Sequence, residues 1–128
     1  MAEFRYHVRR FWRLTEGNAR RAKVHPQQHR LLLAIKGMAP GGTPSVGNLA
    51  EKLQIQHHSA VELIDRTVAA GLVVRRRDVE DGRVVTVHVT PRGERLLERL
   101  SRENREELRS AAPALVKALR DLARSANL

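Results

Sequence analysis

The side chains that could do chemistry sort themselves by spacing. Cysteine is absent, so disulfides, thiol redox sensing and thiolate metal sites are excluded, and six histidines remain as ligands. His25 and His29 stand four apart and His57 and His58 are adjacent. Each pair makes half a zinc site, with no cysteine or close carboxylate to complete it, and His25 before Pro26 reads more simply as a helix start. The paired acids Glu106 and Glu107 lie in a polar helical stretch, and there is no glycine-rich phosphate loop or nucleophile motif. The residues therefore argue against an enzyme and imply no metal or cofactor. What is left is hydrogen-bonding chemistry in the run Gln56-His57-His58-Ser59, and cationic chemistry in a large set of arginines.

The cations set the partner class. The chain has 128 residues with 24 Lys+Arg against 14 Asp+Glu, a formal net charge of +10. Its isoelectric point near 11.4 points to a polyanion, with nucleic acid ahead of an acidic membrane surface. The excess is uneven. Residues 1 to 36 carry nine basic against two acidic side chains, residues 37 to 90 carry six of each, and residues 91 to 128 carry nine against six. A DNA contact in the middle segment must therefore come from local placement of charge. The length fits a single domain over 1–128 with a core small enough that a partner subunit belongs in the stability argument. No apolar run approaches a membrane span and Met1 to Arg13 lacks the apolar stretch of a signal peptide, so a cytoplasmic protein without membrane contact is expected.

Around these residues the periodicities predict mostly helix. Phe4, Val8 and Phe11 recur at helical spacing beside Trp12, with Arg5, Arg9 and Arg13 on another face, and Gly17-Asn18 is expected to interrupt or kink this helix. A second helix starts at Pro26 and turns Leu31, Leu32, Ala34, Ile35 and Met38 inward; Gly37 and the stretch from Ala39 to Pro44 end it. Ser45 caps a short helix over Val46 to Leu53, the turn Gln54-Ile55-Gln56 follows, and another helix runs from about His57 to Ala70 with Ala60, Leu63, Ile64 and Val68 buried. Gly71 supplies a left-handed stop. Two helices joined by so short a turn form a helix-turn-helix candidate. The β-branched runs 72–77 and 84–89 flank a turn-forming segment and predict a hairpin. Thr90-Pro91 opens a long polar helix with Leu96, Leu97, Leu100 and Leu108, and Pro113 is expected to break it and start a last helix through Leu115, Val116, Leu119 and Leu122.

In that order Leu49-Ala50-Glu51-Lys52-Leu53, Val61-Glu62-Leu63-Ile64-Asp65-Arg66, Ala69-Ala70-Gly71-Leu72-Val73, Arg75-Arg76-Arg77-Asp78, Asp81-Gly82-Arg83 and Val89-Thr90-Pro91-Arg92-Gly93 together resemble the MarR family of bacterial transcription regulators. The resemblance covers Pro26 to Leu100 in motif and the flanks in helical character. It implies a mainly α winged helix-turn-helix with a small β-hairpin wing: a core over 26–90, a connecting helix over 91–109, and dimerisation helices at 1–24 and 110–128. By the same resemblance, a homodimer holds double-stranded DNA at a pseudo-palindromic operator, the second helix of the motif enters the major groove, and the wing reaches the minor groove. A repressor released by a small aromatic effector is implied too. Phe11 and Trp12 fall near where family members bind such effectors, although core or dimer contact is the simpler reading.

The candidate DNA-facing residues are Ser45, Gln56, His57, His58, Ser59, Val61, Glu62, Arg66, Arg75, Arg77, Asp81 and Arg83. Gln56 can pair with adenine and Ser59 is permissive. In the family the Asp of an Asp-x-Arg tip holds the Arg that enters the minor groove, which implies those roles for Asp81 and Arg83. Arg75 and Arg77 alternate onto one side of their strand and are favoured over Arg76 as phosphate contacts. Glu62 departs from the family's helix: it reads as an acceptor for cytosine N4, as the i,i+4 partner of Arg66, or as half of a capping box with Ser59. Val61 could meet a thymine methyl or widen the buried stripe. Two rival readings remain: an architectural DNA-binding protein with little sequence choice, favoured by the basic first segment, and a winged-helix protein-docking module, favoured by the neutral middle.

Overall fold

The computed structural model describes residues 1–38 and 40–126, the side chain of Ala126 excepted; Ala39, one residue of the stretch expected to end the second helix, lies outside them. The elements run α1 (Ala2–Arg21), α2 (Pro26–Gly37), α3 (Val46–Leu53), α4 (His57–Ala69), β1 (Val73–Arg77), β2 (Val85–Val89) and α5 (Pro91–Ala126). The chain divides into two compact units, one of Val24–Glu98 and one of Met1–Lys23 with the stretch from Arg99 onward.

The first of these is the winged unit, and each of its boundaries is set by local chemistry. Proline occupies the first position of α2, where its missing N–H costs nothing. His25 closes that end: its Nδ1 accepts from the Gln27 N–H at 3.1 Å while its own N–H donates to Gln28 Oε1 at 3.2 Å. Ser45 Oγ accepts from the Asn48 N–H at 3.2 Å and caps α3. Between α3 and α4 Gln54 adopts a left-handed φ of 56°, and Ile55 drops onto the core, which fixes the angle at which α4 leaves the turn. Gly71 takes φ +75° after α4. The core gathers Leu31, Leu32 and Ile35 of α2, Leu49 of α3, Leu63 and Ile64 of α4, Val73, Val87 and Leu97. Thr67 is fully buried where Val68 was expected to be; its hydroxyl donates to the Leu63 carbonyl at 2.7 Å, so burial leaves no unpaired polar group.

β1 and β2 pair antiparallel with Val73 opposite Val89 and Arg77 opposite Val85. A third strip of backbone joins them, since the Val87 N–H donates to the Pro44 carbonyl at 2.9 Å and Ser45 bridges Thr86. Thr90 then fastens the hairpin to α5. Its hydroxyl donates to the Gly71 carbonyl at 2.6 Å and accepts from the Gly93 N–H at 3.1 Å. Gly93 has to be glycine, because a Cβ there would lie 2.3 Å from the Leu72 carbonyl oxygen.

The second unit is helical, and two expectations about it fail. Gly17-Asn18 does not interrupt α1, which is continuous from Ala2 to Arg21. One glycine inside a helix costs only about 1 kcal/mol, and Asn18 is buried with its amide donating to Asn104 Oδ1 at 2.9 Å. Nor does Pro113 divide the C-terminal region: α5 is a single helix of 36 residues with Pro113 inside it. Pro113 is exposed, so water can satisfy the carbonyl that loses its intrahelical partner. Large apolar side chains remain at the surface of this unit, with Tyr6 53%, Trp12 49%, Val116 44% and Leu119 50% exposed.

Candidate nucleic-acid interface

The start of α4 is built for exposure. Gln56 is its N-cap in extended backbone and makes no side-chain cap bond, so its amide stays available. Gln56, His57 and His58 are exposed and Ser59 is half-buried. The first helical N–H groups point out of this end unpaired, and with the helix dipole they favour an anionic or acceptor ligand.

Farther along, the outward face carries Glu62, Asp65 and Arg66, all exposed. Glu62 makes neither bond weighed from the sequence. No ion pair joins it to Arg66 among the described residues. Ser59 lies inside the helix rather than at its cap, so a capping box with Glu62 is excluded. Val61 is half-buried at the edge of the core face.

The wing has a definite internal order. Arg75 bonds the Asp65 carboxylate of α4. The Arg77 guanidinium donates to the Gly82 carbonyl at 2.9 Å and braces the loop. Asp78 accepts from the Glu80 N–H at 2.8 Å. At the tip Asp81 Oδ1 accepts from the Arg83 N–H at 3.0 Å and from its Nε at 3.3 Å, while the Arg83 side chain is 93% exposed. The carboxylate thus fixes the base of a guanidinium whose far edge is free.

Arg75 and Arg77 do share a side, but it is the side of buried Val73, turned toward α4 and the loop. Arg76 points the other way, into a face shared with Thr86 and His88, and has no side-chain partner among the described residues. His88 Nε2 meets the Thr86 hydroxyl at 2.8 Å, and burial first and the Arg76 charge second hold its pKa below the ordinary histidine value. Sequence reasoning passed over Arg76 and Asp65. The signal was the alternation itself, since Val73 has the parity of Arg75 and Arg77 and had to face the core. His25 is engaged in the α2 cap and His29 is buried; no cluster of three metal-ligating side chains occurs among the described residues.

Helices α2, α3 and α4, the short turn and the two-stranded hairpin define a winged helix-turn-helix protein. Residues 23–84, just under half of the chain, match the model of the MarR family, and it is this stretch that is similar to that family. An uncharacterised HTH-type transcriptional regulator of Bacillus subtilis, YsmB, is 35% identical over 68 residues, 53% of this chain and 47% of that protein. The match thus spans about half the length of this curated relative. Solved structures share the fold over nearly the whole chain. The DNA complex of MepR from S. aureus has a TM-score of 0.76 at 16% identity, covering 95% of this chain and 88% of that one. BpsR of Bordetella bronchiseptica, described with regulation of its DNA binding by 6-hydroxynicotinic acid, has a TM-score of 0.70 at 23% identity, covering 96% and 89%. No helix among the described residues is long and apolar enough to cross a membrane.

Proposed function

We propose that the protein is a DNA-binding transcriptional regulator rather than an enzyme, acting as a homodimer on a pseudo-palindromic operator, with the start of α4 in the major groove and the hairpin tip in the minor groove. The observation that carries this reading is the pairing, in one unit, of an uncapped, exposed α4 start with a tip arginine held by Asp81. Gln56, His57, His58 and Ser59 read base edges through amide, imidazole and hydroxyl groups, and Ser45, Val61, Glu62 and Arg66 lie on or beside that surface. Glu62, without a hydrogen-bond or ion-pair partner among the described residues, suits the cytosine N4 amino group. Arg83 reads groove width, because a narrow minor groove over A·T-rich steps concentrates negative potential. Arg76 joins Arg77 as a phosphate contact, and Arg75 holds the wing against α4 through Asp65.

The dimer is supported by the apolar surface of the helical unit, which a chain of this size does not leave to water without reason. Repression relieved by a small aromatic ligand rests on family likeness and on the ligand-regulated DNA binding described for BpsR, with Phe11 and Trp12 read first as core or dimer contacts. Selection from random duplex is the test. An inverted repeat with half-site centres roughly 10 base pairs apart is expected, whereas a pool without enrichment would leave the architectural reading. Light scattering is expected to show a dimer that Leu119→Asp dissociates or unfolds; a stable, folded wild-type monomer at micromolar concentration would contradict the dimer.

A further inference from the structure

The two units do not share the charge in the way their roles suggest. The winged unit, residues 24–98, has ten basic and eight acidic side chains, a net of +2, while the helical unit has fourteen against six, a net of +8. Most of the chain's net positive charge therefore lies outside the winged unit.

Within the helical unit the charge is concentrated on α1. Arg5, Arg9 and Arg13 follow one another at i,i+4, steps of about 6 Å along the axis. All three are exposed, as is Arg10 beside them. None of these four side chains has an ion-pair or hydrogen-bond partner among the described residues. Of the acids of the helix, Glu3 lies against His7 at 3.2 Å, and Glu16, on the face of the row one turn beyond Arg13, lies against Arg20 at 3.9 Å, so the stretch Arg5-Arg9-Arg13 itself contains no acid. A row of like charges at i,i+4 is destabilising, and a glutamate in the row would remove that cost. The chain uses that remedy at the end of α1, where Glu16 pairs with Arg20, and on α5, where Arg99 pairs with Glu103. A merely solvated face has no need of the unbalanced arrangement. The choice of arginine also matters, since its planar fork grips phosphate oxygens in pairs and a lysine ammonium does not.

We propose that the arginine face of α1, Arg5-Arg9-Arg13 with Arg10 at its edge, is a second, sequence-independent contact for the phosphate backbone of duplex DNA. The inference rests on the DNA-binding reading above and adds to it a separation of labour. α1 supplies salt-sensitive affinity and the winged unit supplies choice of sequence.

The test uses the full-length protein and a mixed-sequence duplex, with binding followed against salt. For the triple variant Arg5→Gln, Arg9→Gln, Arg13→Gln, the slope of log affinity against log salt is expected to flatten by about three per protomer, at roughly one per lost phosphate contact. Affinity at about 0.1 M salt should fall at least about tenfold. The preference for a selected operator over mixed sequence should persist. The matching triple lysine variant keeps the charge and is expected to keep most of the slope, and thermal unfolding of both variants checks that the fold is intact. An unchanged slope in a folded glutamine variant overturns the proposal. So does a glutamine variant that changes the dimer mass without changing the slope, which would make a second copy the occupant. Binding of poly-glutamate as tightly as duplex, at equal charge and salt, would make an acidic polypeptide the partner and overturn it as well. Failure of the DNA-binding reading itself shows differently, as wild-type protein without affinity for any duplex at low salt.

Discussion

The winged unit and the helical unit solve opposite problems. The first has a closed core and a nearly neutral surface on which three of the four wing arginines have an assigned place: Arg75 on Asp65, Arg77 on the Gly82 carbonyl, Arg83 on Asp81. The second is a pair of long helical segments with large apolar side chains at the surface and a row of arginines that have no ion-pair or hydrogen-bond partner among the described residues. The difference teaches that net charge is a poor guide to where recognition lies. Discrimination needs a few groups held in known directions, and affinity for a polyanion needs only charge.

The comparison can be broken first at Gly93, in the winged unit. An added Cβ would meet the Leu72 carbonyl at 2.3 Å and a Val89 methyl at 2.7 Å. Neither is a flexible chain end, so Gly93→Ala should cost about 2–4 kcal/mol of stability, read from the urea midpoint at unchanged slope. Arg83→Ala comes next, with about 1–3 kcal/mol of specific binding lost and little change in stability. Asp81→Ala should show a milder version of the same defect although it removes a negative charge. If it tightens binding, the carboxylate does not hold the arginine for its task.

A smaller effect follows from His29, which is buried in the winged unit with Nε2 unpartnered. Burial, and secondarily the Arg30 charge, lower its pKa below the ordinary value of 6.5. The unfolded chain therefore binds a proton that the folded chain refuses. Stability is at its full value above the unfolded pKa, falls as pH drops below it, and levels off below the depressed folded pKa. His29→Leu should flatten that acid-side slope in chemical unfolding measured across the range. The smallest effect is of opposite sign and belongs to the helical unit. At Gly17 an added Cβ meets only the end of the Arg21 side chain at 3.4 Å, so Gly17→Ala should stabilise by about 0.5–1 kcal/mol.

The same contrast governs how much was legible in the sequence. α3, α4 and the hairpin were readable almost to the residue because their signals are local: Ser45 at a cap, Gly71 past a helix end, β-branched runs on either side of a polar turn. The helical unit misled at Gly17-Asn18 and Pro113, where a local breaker was overruled. Asn18 finds Asn104, which lies 86 residues away. The cost of one exposed proline is spread along a helix with many intact bonds. In the candidate site, exposure of Gln56 to His58 followed from polarity. The assignment of Arg75 to Asp65 did not, since it needs the three-dimensional crossing of strand and helix. Glu62 had two plausible internal partners in sequence and has neither in the structure.

The central claim is that recognition resides in the winged unit, with Arg83 reading the shape of the groove. Its most direct test is the affinity of wild type and Arg83→Ala for two duplexes that share a selected operator core and differ only in flank, A·T-rich or G·C-rich, at one fixed salt concentration. Wild type should prefer the A·T-rich flank, and Arg83→Ala should lose most of that preference, with the larger share of its roughly 1–3 kcal/mol falling on the A·T-rich duplex. An equal loss on both flanks, or none on either, would contradict it.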